Sequence, residues 1–226
     1  MCPFLSIDGE QNRHMLQHAS RARFHVRKRA TPSARPFVTA AAGCAMWALA
    51  GCATTVIPPE GSADPVEVYV VDHGSTSSLV IPASGGGMLR YAYGDWNYYA
   101  LGRSELRYGI AALFWPTQSG LGRAELSGDA GQPTVRAQPF SIESLHSVPA
   151  ERARVLEFEQ RMEALYDERR DTEVENPLTG LSFVHHPRDY TYLWNSNHAV
   201  ASWLRELGCE TQGPSFRASW RVLEQR

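Results

Sequence analysis

Lysine is almost missing from this chain: Lys28 is the only one in 226 residues, and arginine supplies the rest of the 22 basic side chains. That bias reflects coding composition and says nothing of function. Cysteine is scarce, at four positions: Cys2, Cys44, Cys52 and Cys209. No apolar run reaches the ~20 residues that a membrane-spanning helix needs. Basic charge is also missing where it would matter. Residues 1–52 hold seven basic side chains (Arg13, Arg21, Arg23, Arg27, Lys28, Arg29, Arg35) against Asp8 and Glu10. Taking these from totals of 22 and 24 leaves 15 basic and 22 acidic residues from Ala53 onward, a net charge of −7. Such a domain lacks the basic footprint that nucleic acid requires and the cationic patch that would hold anionic lipid.

What is present begins at the N-terminus. Arg21 to Arg35 forms a basic stretch, and Val38 to Gly51 (VTAAAGCAMWALAG) is an apolar run of signal-peptide length. It ends in Leu49-Ala50-Gly51-Cys52, which resembles a bacterial lipobox. Residues 1–52 are therefore expected to be a signal peptide, with Met15 a plausible initiator and 1–14 outside the translated protein. Cys52 is expected to carry the lipid, because its thiol accepts the diacylglycerol and the small residues before it admit the peptidase. Multiple acyl chains hold far more firmly than the single chain that binds only marginally. Ala53, rather than Asp, follows the cysteine and points by the usual sorting pattern to an outer-membrane lipoprotein facing the periplasm. Residues 53–65, rich in Pro, Thr and Ser, read as a flexible tether, and 66–226 as one globular domain.

Processing would leave Cys209 alone, so no internal disulfide can form. Gly208 before it reads as the glycine that ends a helix. A thiol at that negative end of the dipole is not activated, and Cys209 is expected to be a small buried hydrophobe.

The period-two patterns predict strands at Val66–Val71 and Ser78–Ile81, joined as a hairpin, then a turn at Gly85-Gly86-Gly87 and a strand from Met88 to Tyr93. Gly94 to Tyr99 reads as an aromatic loop. Ser104 could cap a helix over Glu105 to Trp115. Leu121–Ser127 and Thr134–Phe140 are short strand candidates. Pro149 to Arg169 is the best helix, with Val155, Phe158, Met162 and Leu165 on one stripe. Leu181–His185 reads as a strand, Leu193–Leu207 as a helix ended by Gly208, and Phe216–Leu223 as a short terminal helix. Strands and helices do not alternate strictly, so the class is α+β, a small antiparallel sheet with packed helices. The three glycines lack the lysine and the strand-to-helix setting of a phosphate loop, and no cofactor is expected.

Two stretches carry a resemblance. One is Val68-Tyr69-Val70-Val71-Asp72-His73-Gly74-Ser75-Thr76-Ser77-Ser78-Leu79-Val80-Ile81-Pro82, with Tyr91-Ala92-Tyr93-Gly94-Asp95-Trp96 close behind. The other is Trp194-Asn195-Ser196-Asn197-His198-Ala199-Val200-Ala201-Ser202-Trp203-Leu204, followed by Leu207-Gly208. Together they resemble a family of uncharacterised bacterial lipoproteins and membrane proteins found near urease genes. That family in turn resembles circularly permuted papain-like cell-wall peptidases. The resemblance implies a catalytic histidine in an early strand and a catalytic cysteine at a later helix start. This chain departs at both places: Gly74-Ser75-Thr76 stands where Gly-aromatic-His is usual, and Ser196-Asn197 where Cys-Asn is usual.

Two function classes follow. A papain-like domain with altered catalysis would bind peptidoglycan or another envelope ligand, with Asp72, Thr76, Asp95, Trp96, Asn195 and Asn197 lining its pocket. Alternatively, a serine hydrolase or acyltransferase acting on peptidoglycan or lipid would use Ser196, with His73 as base and Asp72 or Asp189 as orienter. A helix dipole worth ~1 kcal/mol cannot ionise a serine unaided, so Ser196 needs such a base; otherwise Ser196 or Asn195 is simply an N-cap. His198 is two residues along a helix from Ser196 and points away from it. His185, His186 and His198 as zinc ligands would lack the spacing of a known site. Tyr91, Tyr93, Trp96, Tyr98 and Tyr99 could line a groove with Asp95, or pack as a half-buried strand and its neighbours.

Overall fold

The computed structural model describes residues 53–103 and 115–224. A seven-stranded antiparallel sheet dominates it. Its strands are β2 (Pro65–Asp72), β3 (Ser77–Pro82), β4 (Met88–Asp95), β5 (Thr117–Leu126), β6 (Ser144–Glu151), β7 (Val174–Asn176) and β8 (Leu181–Tyr190), in the order β6-β2-β3-β4-β5-β8-β7. A second sheet of three short strands, β10-β1-β9, is built from β1 (Thr54–Ile57), β9 (Glu210–Gln212) and β10 (Trp220–Val222). The helices are α1 (Gln132–Arg136), α2 (Arg152–Asp167) and α3 (Ser196–Glu206). The class is mixed α+β, and the sheet is larger than the pattern predicts because β6, inside the stretch read as loop and helix start, pairs with β2 along its whole length.

The large sheet is buried on both faces in its middle. Val68 and Val70 of β2, Leu79 and Ile81 of β3, and Leu89, Tyr91 and Tyr93 of β4 share one face. Their neighbours Tyr69, Val71, Val80 and Met88 share the other. That split is the strand alternation itself. The first face is covered by α2, through Val155, Phe158, Met162 and Tyr166, and by α3, through Ala199, Val200, Trp203 and Leu204. Burying side chains as large as Phe158 contributes roughly 1.5–3 kcal/mol each. Tyr166 takes the inner place that the stripe assigns to Leu165, which is only partly buried. Cys209, 5% exposed, belongs to this core. The opposite face is covered by the segment carrying Val135, Phe140 and Ile142, and by Trp96, Tyr99 and Ala100.

Several expectations are corrected. Residues 54–57 are not tether: β-branched Thr54 and Val56 are fully buried, and β1 pairs on both edges. Thr134–Phe140 is not a strand, since Pro133 stands in the first turn of α1, where its missing N–H costs nothing. Phe216–Leu223 is not a helix, because Trp220–Val222 pairs in parallel with Thr54–Val56. The long helix begins at Arg152, the preceding residues being strand. Gly94 and Asp95 end β4, and Trp96–Ala100 forms a π-helical turn capped by the Asp95 carboxylate. Residues 1–52, Cys52 included, and the stretch 104–114 of the helix read over Glu105 to Trp115 lie outside the described residues. No helix among the described residues is long and apolar enough to cross a membrane.

Candidate functional site

The two sequence stretches meet in space. Asn195 is the N-cap of α3, its side chain accepting from the backbone N–H groups of Asn197 and His198. Ser196 is the first helical residue and is 2% exposed. Asn197 turns toward the loop between β2 and β3. Its Oδ1 accepts from Ser77 Oγ at 2.9 Å, and its Nδ2 donates to Ser75 O at 3.3 Å and, more weakly, to Phe216 O at 3.5 Å. Trp220 Nε1 donates to Ser77 Oγ at 2.8 Å. Ser77 thus receives one hydrogen bond and gives one, which is most of what a buried hydroxyl can do. The seam is a closed network that ties α3, the β2–β3 turn and β10 together.

The expected Ser196–His73 pair is not formed. Ser77, which meets α3, and Ser78 are adjacent on β3 and face opposite sides of the sheet. His73 goes with Ser78: its Nε2 lies 2.8 Å from Ser78 Oγ, and its Nδ1 2.5 Å from Ser141 O. His73 and the start of α3 are therefore separated by the sheet. Asp72 does not orient a catalytic imidazole either; its carboxylate accepts from Gly74 N and Ser144 Oγ and holds the turn. The left-handed Gly74 (φ 98°) makes that turn, and a Cβ there would run into the Glu143 carboxylate. Asp189 offers its backbone carbonyl to Tyr93 Oη. Among the described histidines none hydrogen-bonds to Ser196. His198 Nδ1 contacts Asn195 Oδ1, His185 packs edge-on against Trp96 at 4.2 Å, and His186 packs edge-on against Tyr93 at 5.0 Å. His185 and His186 alternate on β8, and no group of three potential metal ligands is gathered among the described residues. The zinc reading fails on that geometry.

The other expected pocket residues are dispersed. Asp95 caps the π-helical turn through Tyr98 N and receives the Thr117 hydroxyl at 2.5 Å. Trp96 packs against His185 and the Gly120 backbone. Of the aromatic cluster, Tyr91 and Tyr93 belong to the helix-covered face and Trp96 and Tyr99 to the other. Tyr91 Oη donates to Glu163, and burial first, then that partner, raises its pKa. The aromatics are thus mostly packing.

Of the predicted residues, His73 and Thr76, with Tyr93 and Tyr99 of the aromatic cluster, line one cavity, which lies mainly on the sheet face opposite α3 and reaches Ser77. The cavity has a volume of about 220 Å³. Beside these its wall includes Arg90, Phe140, Thr179 and Phe183. Arg90 is the unusual member. It is 5% exposed, its guanidinium lies 3.9 Å from the centre of the Phe140 ring, and no carboxylate pairs with it among the described residues. Its Nε donates to Ser78 Oγ at 3.1 Å, one terminal nitrogen to Thr179 O at 3.0 Å, and the other to His73 Nε2 at 3.1 Å. Burial holds Arg90 down to about 10. Burial, and then the Arg90 charge, hold His73 down to about 4. The Ser141 carbonyl can only accept, so neutral His73 carries its proton on Nδ1 and offers the Nε2 lone pair to Arg90 and Ser78. One permanent positive charge thus sits in a mostly apolar chamber.

Sequence reasoning passes over Arg90, though a signal exists. Met88, Arg90 and Ala92 alternate with Leu89, Tyr91 and Tyr93, so β4 is apolar on both faces. An arginine inside such a strand is almost never buried without a task. Phe140 and Thr179, which lie in irregular segments, carry no comparable signal. Comparison with family models, with curated proteins and with solved structures finds no match for this chain.

Proposed function

We propose that this protein is a lipid-anchored domain of the bacterial cell envelope that binds an envelope ligand and has lost hydrolytic chemistry. Cys52 is the anchor, and an outer-membrane, periplasm-facing position goes with it. The fold reading that accompanies this is a circularly permuted papain-like arrangement, in which an early strand turn meets a later helix start. The contact of Asn197 with Ser75 and Ser77 supports that order.

The observation that carries the loss of catalysis is the division of the polar groups by the sheet. The helix start that would hold the nucleophile bears Ser196, and the side chains of Asn197, Ser77 and Trp220 beside it are bonded to one another. The histidine that could serve as base is on the other face, neutral and engaged at both nitrogens. A serine needs a base within about 3.2 Å to act as a nucleophile.

The test is labelling of the full-length chain with a fluorophosphonate probe beside a Ser196→Ala variant. No labelling of either is the expected outcome. Labelling of the parent that vanishes in the variant would establish a serine hydrolase and end the binding reading.

A further inference from the structure

We infer that the cavity around Arg90 is a binding site for a small monocarboxylate whose apolar body lies among Tyr99, Phe140 and Phe183. The inference rests on the binding-domain reading and names its ligand class.

A guanidinium has five N–H groups in a fixed plane. At Arg90 three find acceptors: Ser78 Oγ, Thr179 O and His73 Nε2. Two remain, one on each terminal nitrogen, and Arg90 lines the cavity. All three protein acceptors are neutral, since His73 is held well below neutral pH. A buried charge left without a counterion is expensive, and proteins seldom carry one without pairing it. An anion entering the cavity would supply both the missing charge and the missing acceptors.

The class of anion follows from what else is there. Apart from Arg90 no lysine or arginine lines the cavity, so a single negative charge is matched and a phosphate dianion is not. A planar carboxylate suits the parallel N–H groups of a guanidinium. Phe140 covers one face of that guanidinium, so the ligand approaches along its plane or from the other face. The volume, about 220 Å³, lies below the range of drug-sized ligand sites. It admits a compact acid, or the last residue of a peptide with a free C-terminus, and both present the same carboxylate on an apolar body.

Neutral His73 has a definite role in this. It takes one N–H of Arg90 and thereby fixes the guanidinium, without adding a second charge that would change the selectivity. Asp72, next in sequence, is the nearby acid that acts on His73, and its carboxylate is occupied by Gly74 N and Ser144 Oγ. It does not compete for Arg90.

The test is calorimetric titration of the full-length chain with phenylacetate, hexanoate and a short peptide ending in phenylalanine. Phenylacetamide and the C-terminally amidated peptide are the neutral controls. Saturable binding of at least one carboxylate is expected, with its neutral control bound about 10- to 100-fold more weakly. Preference for the free acids over the peptide, or the reverse, identifies the source. The Arg90→Met variant removes the charge while keeping the stem. It is expected to lose binding by a similar factor, while in its stability the relief of an uncompensated buried charge and the loss of three hydrogen bonds oppose each other. Should it unfold, Arg90→Lys keeps the charge without the planar fork and is expected to bind at least several-fold more weakly. Absence of saturation by every carboxylate, or equal binding of the amides, overturns the inference. Fluorophosphonate labelling of Ser196 would instead overturn the binding-domain reading, so the two failures are separable.

Discussion

Replacement of Asn197 by alanine probes the joint that the two sequence stretches form. The side chain is 1% exposed, and in the folded protein it satisfies the Ser77 hydroxyl, the Ser75 carbonyl and in part the Phe216 carbonyl. Truncation leaves the Ser77 hydrogen without its acceptor and the Ser75 oxygen without its donor. Each orphaned buried group costs roughly 1–3 kcal/mol, and the small cavity adds to that. Because Ser77 can rotate and water can enter beside the exposed turn, the lower part of the range applies, and about 3 kcal/mol in total is expected. In a chain of this size that lowers the melting temperature by roughly 6–12 °C. Ser77→Ala removes the hydroxyl that accepts from Trp220 Nε1 and donates to Asn197, and should cost about 2 kcal/mol. The two sites share a bond, so the double variant should be more stable than the sum of the single losses predicts, by at least about 0.5 kcal/mol. Urea unfolding of the four proteins, followed by circular dichroism, gives the free energies, and thermal melts give the temperature shift. An Asn197→Ala protein within 0.5 kcal/mol of the parent, or strict additivity, would refute the account of the seam as a coupled network.

Four further outcomes are expected. Cys52→Ser should abolish incorporation of radiolabelled palmitate and release the protein from the membrane fraction; retention of both would refute lipidation there. Gly122→Ala places a Cβ 2.7 Å from the ring of buried Phe183, which packs with Trp96 and Tyr99, and should destabilise by about 1–3 kcal/mol in thermal melts. Cys209, whose thiol burial pushes up to about 11, should react with a disulfide reagent at pH 8 only after denaturation, and rapid reaction of the native protein would contradict its place in the core. His73 is neutral in the folded chain down to about pH 4 and titrates near 6.5 when unfolded, so between these values the unfolded state binds more protons. Stability should therefore be complete above pH 6.5 and fall by roughly 3 kcal/mol as pH drops to 4. His146, His186 and His198 are shifted the same way, by burial first, and steepen the fall. His73→Gln should flatten part of it in urea titrations at stepped pH, and an unchanged slope would show that His73 is not buried as a neutral base.

The legible parts of the sequence were those whose pattern and packing agree. The β2–β3 hairpin alternates on both faces, and α3 opens on Asn195 and closes at Gly208, so local chemistry and tertiary contacts give one answer. Where pairing partners are remote the pattern fails. Ser144–Glu151 holds Pro149 and His146, which local preference reads as loop, yet β2 supplies a complete edge for it to pair with. Thr54–Ile57 has the composition of a tether until residues more than 150 positions later close around it. The candidate site suffered similarly. A sequence shows that Ser196 and His73 are present, but not that a single-residue step from Ser77 to Ser78 sends their neighbourhoods to opposite sides of the sheet. The arginine in β4 was the overlooked clue, since it stands where both faces of the strand are apolar.

The placement of β1 has a mechanical meaning. Ala53 alone stands between Cys52 and a strand whose backbone is bonded on one edge to β9 and on the other to β10, the latter in parallel. If Cys52 is the anchor proposed above, a pull through it would run along β1 and load both rows of bonds together, instead of opening them one after another from an end. On that proposal, tension would pass into the core through buried Val56 and Trp220, and the domain would ride close to its anchor with little slack.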